Sequence, residues 1–171
     1  MPGDQIDTDR IIPARFLSRI ERAGYGELLF SDVRGPEFAL DQPEAQGATI
    51  MVVGCNFGCG SSREHAVWAL ADFGFEAVIA RSFADIFRAN ALKNGVVPVA
   101  VAEDVHRFLV DHRDVEVTVD VGRALLLLPD GESIVFPLDP FARQCLTQGI
   151  DELDYLRRHE TAIAVWEARH G

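Results

Sequence analysis

From residue 48 onward the apolar positions fall into short blocks separated by turn residues. Ala48 to Gly54 is a near-continuous apolar run, which reads as a strand covered on both faces. Ser62 to Phe73 then puts Ala66, Ala69, Leu70 and Phe73 on one helical face, with Gly74 as the stop. Ala77 to Ala80 predicts a second strand. Ser82 with Asp85 predicts the start of a second helix, closed by Asn94-Gly95. Val96 to Val101 predicts a third strand and Asp104 to His112 a third helix. Val115 to Val121 alternates. Leu125 to Leu128, the turn Pro129-Asp130-Gly131 and Ile134 to Phe136 predict a hairpin. Pro140 to Gln148, stopped by Gly149, and Asp151 to Arg169 read as helices.

The N-terminal third has no such order. Asp7 to Pro13 reads as an Asx-type turn feeding a short strand. A loop from about 14 to 46 follows, rich in Gly24, Gly26, Gly35 and Pro36. The alternation of strand and helix predicts an α/β fold: one domain over 1–171, with a largely parallel sheet flanked by helices and an antiparallel hairpin addition. Its core spans about 47–150 and its C-terminal helix about 151–169.

At 171 residues, 48% of them hydrophobic, the chain is long enough to bury a core of its own. No apolar run approaches the roughly 18 residues that cross a bilayer. Met1 to Gln5 shows no basic patch leading into an apolar segment, so a cytoplasmic protein is expected. The formal net charge of −11 argues against a nucleic-acid partner, although local arginines can still bind a small anion. Cys55, Cys59 and Cys145, an odd number in a chain expected to be cytosolic, argue against a disulfide framework.

One segment carries chemistry: Gly54-Cys55-Asn56-Phe57-Gly58-Cys59-Gly60-Ser61-Ser62-Arg63-Glu64-His65-Ala66. A buried strand runs into a glycine-punctuated turn that delivers two serines and an arginine to a helix start. Free N–H groups and the helix dipole favour an anion there, and Arg63 adds a fork suited to a carboxylate. The bland alternative is a capping box, with Ser61 capping the helix and Glu64 reaching back. His65 reads as a packed residue rather than a base. Cys55 and Cys59, four apart and with Cys145 remote, fall short of a closed metal site and are read as non-ligands. Asp7 and Asp9 flank Thr8 beside Arg10, and chemistry alone leaves their role open.

Asn56 to Ala66 resembles the signature of the aconitase-family swivelling domain, in its isopropylmalate isomerase form. Asp7 to Pro13, Ser82 to Phe87 with Asn90 and Lys93-Asn94-Gly95, and Gly149-Ile150-Asp151 with Ile163 and Glu167 are similar to that family's other motifs, in the same order. The resemblance implies a small subunit active only with a large one, interconverting 2- and 3-isopropylmalate by dehydration and rehydration in leucine biosynthesis. It implies no cofactor on this chain and a 4Fe-4S cluster on the large subunit, whose iron would act as Lewis acid. It implies Ser61 as the base, acting as an alkoxide stabilised by backbone N–H groups and Arg63. Ser62 and Arg63 would hold a carboxylate of a small dicarboxylate substrate, and Arg22 and Asp9 are further substrate-binding candidates. Arg22 lies with Phe16, Leu17, Arg19 and Ile20 in the loop expected to read the substrate's variable group.

Related small subunits serve homoaconitase, methylmalate and dimethylmalate hydro-lyases, which are sister readings. A serine hydrolase is a different one, but the nucleophile elbow needs glycines two before and two after the serine. Around Ser61 those places hold Cys59 and Arg63. An anion-binding regulatory module is the third.

Overall fold

The computed structural model describes residues 3–19 and 21–170; Ile20, one of the apolar positions expected in the substrate loop, lies outside them. Three parallel strands form the central sheet in the order β1-β2-β3: β1 Ile50–Val52, β2 Ala77–Ala80 and β3 Val97–Ala100. Ile50 pairs with Ala77, and Ala77 with Val97. Pro98 is accommodated within β3, opposite Val78. Helix α2, Glu64–Phe73, connects β1 to β2, and α3, Asp85–Lys93, connects β2 to β3. Gly74 closes α2 in the left-handed region, where a glycine meets no Cβ penalty.

The strand side chains alternate between two separate cores. Met51, Val53, Val78 and Ala80 join one core with Ala66, Val67, Ala69 and Leu70 of α2 and Phe87 and Ala91 of α3. Ala77, Ile79, Val97 and Val99 join the other. That second core is covered by α4, Glu103–Asp111, and by an antiparallel sheet: β4 Thr118–Asp120, β5 Leu125–Leu127 and β6 Ser133–Val135. The antiparallel addition is therefore a three-stranded sheet of its own, not an extension of the parallel one. Each fully buried aliphatic side chain here contributes roughly 1.5–3 kcal/mol.

Three local expectations are corrected. Asp7 to Pro13 is not a strand: Asp7 caps a short helix α1, Thr8–Ile11, by accepting from the Arg10 amide at 2.7 Å. Ser82 does not open α3. Its hydroxyl instead accepts from the Asn56 amide at 2.9 Å and lies 3.1 Å from the Cys55 thiol, so it ties the glycine turn to β2. After α5, Pro140–Gln148, the single helix expected over 151–169 is two, α6 Glu152–Arg158 and α7 Glu160–His170, divided at His159.

The N-terminal loop is ordered by its own aromatic residues. Tyr25, Leu29 and Phe30 are fully buried in the first core. Single 3₁₀ turns at Ala14–Phe16, Gly26–Leu28, Ala39–Asp41 and Pro43–Ala45 supply most of its backbone bonding.

Candidate active site

The turn after β1 is held from both sides. On one side Gln5 N–H donates to the Cys55 carbonyl, Gly58 N–H to that of Ile6, and Thr8 N–H to that of Cys59, at 2.8–2.9 Å. On the other, Phe57 N–H donates to the Ser82 carbonyl and Ala84 N–H to that of Phe57. Two motifs separate in sequence, Asp7 to Pro13 and Gly58 to Arg63, thus become one hydrogen-bonded unit.

Gly58 and Gly60 stand at φ +74° and +86°, and the first is required sterically as well. The turn ends in a cleft of about 240 Å³ lined by Thr8, Gly58, Gly60, Ser61, Ser62 and Arg63, and across from them by Ala84 to Phe87 at the start of α3. Asp85, Ile86 and Thr8 were not foreseen from sequence. Only the hydroxyl of Thr8, between two aspartates, offered a signal.

Ser61 and Ser62 are exposed. Neither hydroxyl has a hydrogen-bond partner among the described residues, and no acceptor among them takes the N–H of Ser61, Ser62 or Arg63. The capping box is not formed. The residue at the N-cap of α2 is Arg63, without a side-chain cap, and Glu64 accepts from the Asn94 carboxamide at 2.8 Å instead of reaching back. Two hydroxyls and three N–H groups with no acceptor among the described residues therefore lie in the residues leading into the positive end of a ten-residue helix. That is the composition of an anion cradle.

Arg63 is largely covered, with its side chain 12% exposed, and Asp9 takes both of its terminal nitrogens. Nη2 donates to Oδ2 at 2.7 Å and Nη1 to Oδ1. The Ala14 amide also donates to Asp9 Oδ1, at 3.2 Å. The hydrogen bond from Arg63 holds the Asp9 carboxyl below its ordinary value of 3.8. A guanidinium has five N–H donors, so three remain for another carboxylate.

Arg22 lies elsewhere. Its guanidinium sits 5.1 Å over the Trp68 ring and donates to Asn94 Oδ1 at 2.8 Å, and it does not line the cleft. Asn94 Oδ1 also accepts from Trp68 Nε1 at 3.0 Å. The asparagine thus joins the loop, α2 and the end of α3. His65 is packed, 4.6 Å from the Trp68 ring and 5.5 Å from that of Tyr25. The thiol of Cys55 is engaged with Ser82, Cys145 is buried in α5, and no three potential metal ligands gather among the described residues. An iron–sulfur cluster needs more thiolates than the described residues bring together.

The fold and the comparisons together define an α/β domain of the aconitase type. Residues 2–104 match the aconitase C-terminal domain family. A 3-isopropylmalate dehydratase small subunit from Chloroflexus aggregans is 49% identical over 99% of this chain and 89% of its own length. One from Anaeromyxobacter dehalogenans is 51% identical over 98% and 91%. The crystal structure of 3-isopropylmalate dehydratase from Methanocaldococcus jannaschii superposes with a TM-score of 0.65 at 29% identity, covering 99% of this chain and 94% of that one. The chain belongs to the aconitase C-terminal domain family, among the 3-isopropylmalate dehydratase small subunits.

Proposed function

We propose that this chain is the small subunit of a two-subunit hydro-lyase that interconverts 2-isopropylmalate and 3-isopropylmalate in leucine biosynthesis, in the cytoplasm. One observation carries the reading: the Ser61 hydroxyl caps nothing and is exposed in the cleft, in a run of three residues whose N–H groups have no acceptor among the described residues. A serine hydroxyl ordinarily titrates far above neutrality. Here an oxyanion would lie beside unpaired amides at a helix N-terminus, the means by which developing negative charge is stabilised.

In this reading a substrate carboxylate binds the Ser62 hydroxyl and the donors of Arg63 that Asp9 leaves open. Asp9 acts on the substrate through Arg63, keeping the fork in one orientation. Ser61, as the alkoxide, takes the proton from the carbon beside a carboxylate, and the C–H electron pair becomes the double bond as the neighbouring hydroxyl leaves. Re-addition of water with the opposite regiochemistry completes the shift of the hydroxyl. The 4Fe-4S cluster is assigned to the large subunit, since the described residues of this chain do not fit one.

The test is co-expression with a large subunit, anaerobic reconstitution and a panel of substituted malates. Turnover of 3-isopropylmalate is expected, and only in the presence of both chains. Turnover of homocitrate-type or methyl-substituted substrates in its place would make this a sister hydro-lyase. A complex inactive on the whole panel would sink the reading.

A further inference from the structure

Thr8 is almost fully buried, at 2% exposure, yet it lines the cleft beside Ser61. Its two polar donors both go to the glycine turn. The Thr8 amide donates to the Cys59 carbonyl at 2.9 Å, and Oγ1 donates to the Ser61 carbonyl at 2.8 Å. Thr8 therefore grips the chain on either side of Gly60, a residue at φ +86° whose conformational freedom the turn would otherwise retain.

The second bond reaches further than its own length. The Ser61–Ser62 peptide is trans and planar, so fixing the Ser61 carbonyl on Thr8 also fixes the Ser62 N–H, pointing away from Thr8. One hydroxyl thus sets the backbone that bears the Ser61 side chain and aims one of the free amides. No helix does this work, because α2 begins only at Glu64.

We infer that Thr8 is the positioning residue of Ser61, holding the reactive hydroxyl and the Ser62 amide in register. The inference rests on Ser61 acting as the base. Thr8 itself touches no reacting atom. Its contribution is to keep the hydroxyl within the tolerance that proton transfer demands, where a displacement near 1 Å costs on the order of 100-fold.

The experiment compares Thr8→Val, which keeps the shape and drops the hydroxyl, with Thr8→Ser, which keeps the hydroxyl, and with Ser61→Ala. All are assayed as the reconstituted two-subunit enzyme with 3-isopropylmalate, and assembly is checked by gel filtration. Thr8→Val is expected to lower kcat about 10- to 100-fold while KM stays within about 3-fold. Thr8→Ser should recover most of the rate, and Thr8→Val should add nothing to the loss already caused by Ser61→Ala. If Thr8→Val does not assemble, Thr8→Ala takes its place, smaller and equally without a donor.

Unchanged kcat in the hydroxyl-free variant overturns the inference, as does an equal loss in Thr8→Ser. A loss of rate that only tracks the loss of assembled complex overturns it too. If Ser61→Ala itself retains activity within about 10-fold, the assignment of the base has failed, and the role of Thr8 with it.

Discussion

The ring of Phe87, in the first turn of α3, lies so close to Gly58 that a β-carbon on Gly58 would stand 2.1 Å from the ring's γ-carbon. Phe87 is itself wedged edge-on against Phe57, with ring centroids 5.0 Å apart, and cannot withdraw cheaply. Gly58→Ala therefore combines overpacking with a strained φ of +74°, and is expected to cost about 3 kcal/mol or more. Urea unfolding of the isolated chain measures it. A loss under about 1 kcal/mol would mean that the two segments can part without strain.

Ser61→Ala removes a side chain that caps nothing. Stability should stay within about 0.5 kcal/mol of the parent, below the ~1 kcal/mol of a lost helix cap. Turnover of the reconstituted enzyme should fall by several orders of magnitude. A cap-sized loss of stability with intact turnover would restore the bland reading of the residue.

Much of this was written in the sequence, for identifiable reasons. Ala77 to Ala80 and Pro140 to Gln148 emerge with their expected limits, since uniform apolarity marks the first and an Asp-Pro start with a glycine stop marks the second. Ser61-x-x-Glu64 and Ser82-x-x-Asp85 misled because local spacing cannot show a competing tertiary partner. Asn94 claims Glu64, and the Asn56 amide claims the Ser82 hydroxyl. The same blindness hid Thr8, whose acceptor lies 53 residues away.

Asp9→Asn keeps the outline of the side chain and removes the charge opposite Arg63. The guanidinium is then held less firmly, so KM for the dicarboxylate should rise several-fold, with a smaller fall in kcat. Arg63→Lys loses the bidentate geometry and should be worse on both counts. Steady-state kinetics on the two variants decide. Unchanged constants in both would leave the pair with a structural role alone.

Arg22→Ala should be felt in stability rather than in substrate choice. It removes the contact over Trp68 and the hydrogen bond to Asn94, together worth about 1 kcal/mol at an exposed site. The ratio of tricarboxylate to alkylmalate turnover should not move. A shift in that ratio beyond about 10-fold would return the guanidinium to substrate recognition.

Acid should destabilise the fold. Asp4, Asp9, Asp32 and Asp41 are each held below the ordinary 3.8 by hydrogen bonds from Arg81, Arg63, Arg15 and Arg34 respectively. Below that value the unfolded chain binds protons that the folded chain refuses. Stability from these pairs is therefore complete above the unfolded pKa and lost as pH falls through the lower folded values. Urea midpoints between pH 3 and pH 7 should fall on the acid side, and Arg81→Gln should flatten the curve. Midpoints that rise on acidification would contradict the pairing.

The parallel sheet acts as a bulkhead. Everything that shapes the cleft hangs from one of its faces, while the antiparallel strands and α4 occupy the compartment behind it. Sequence drift behind the bulkhead can alter the domain's durability without retuning its chemistry, so that side can absorb mutations at little catalytic risk. The antiparallel strands are also the place to attach a fluorophore or a surface tether; α4 is not, because His106 bonds the Val53 carbonyl at 2.7 Å, directly before the turn that leads to Ser61.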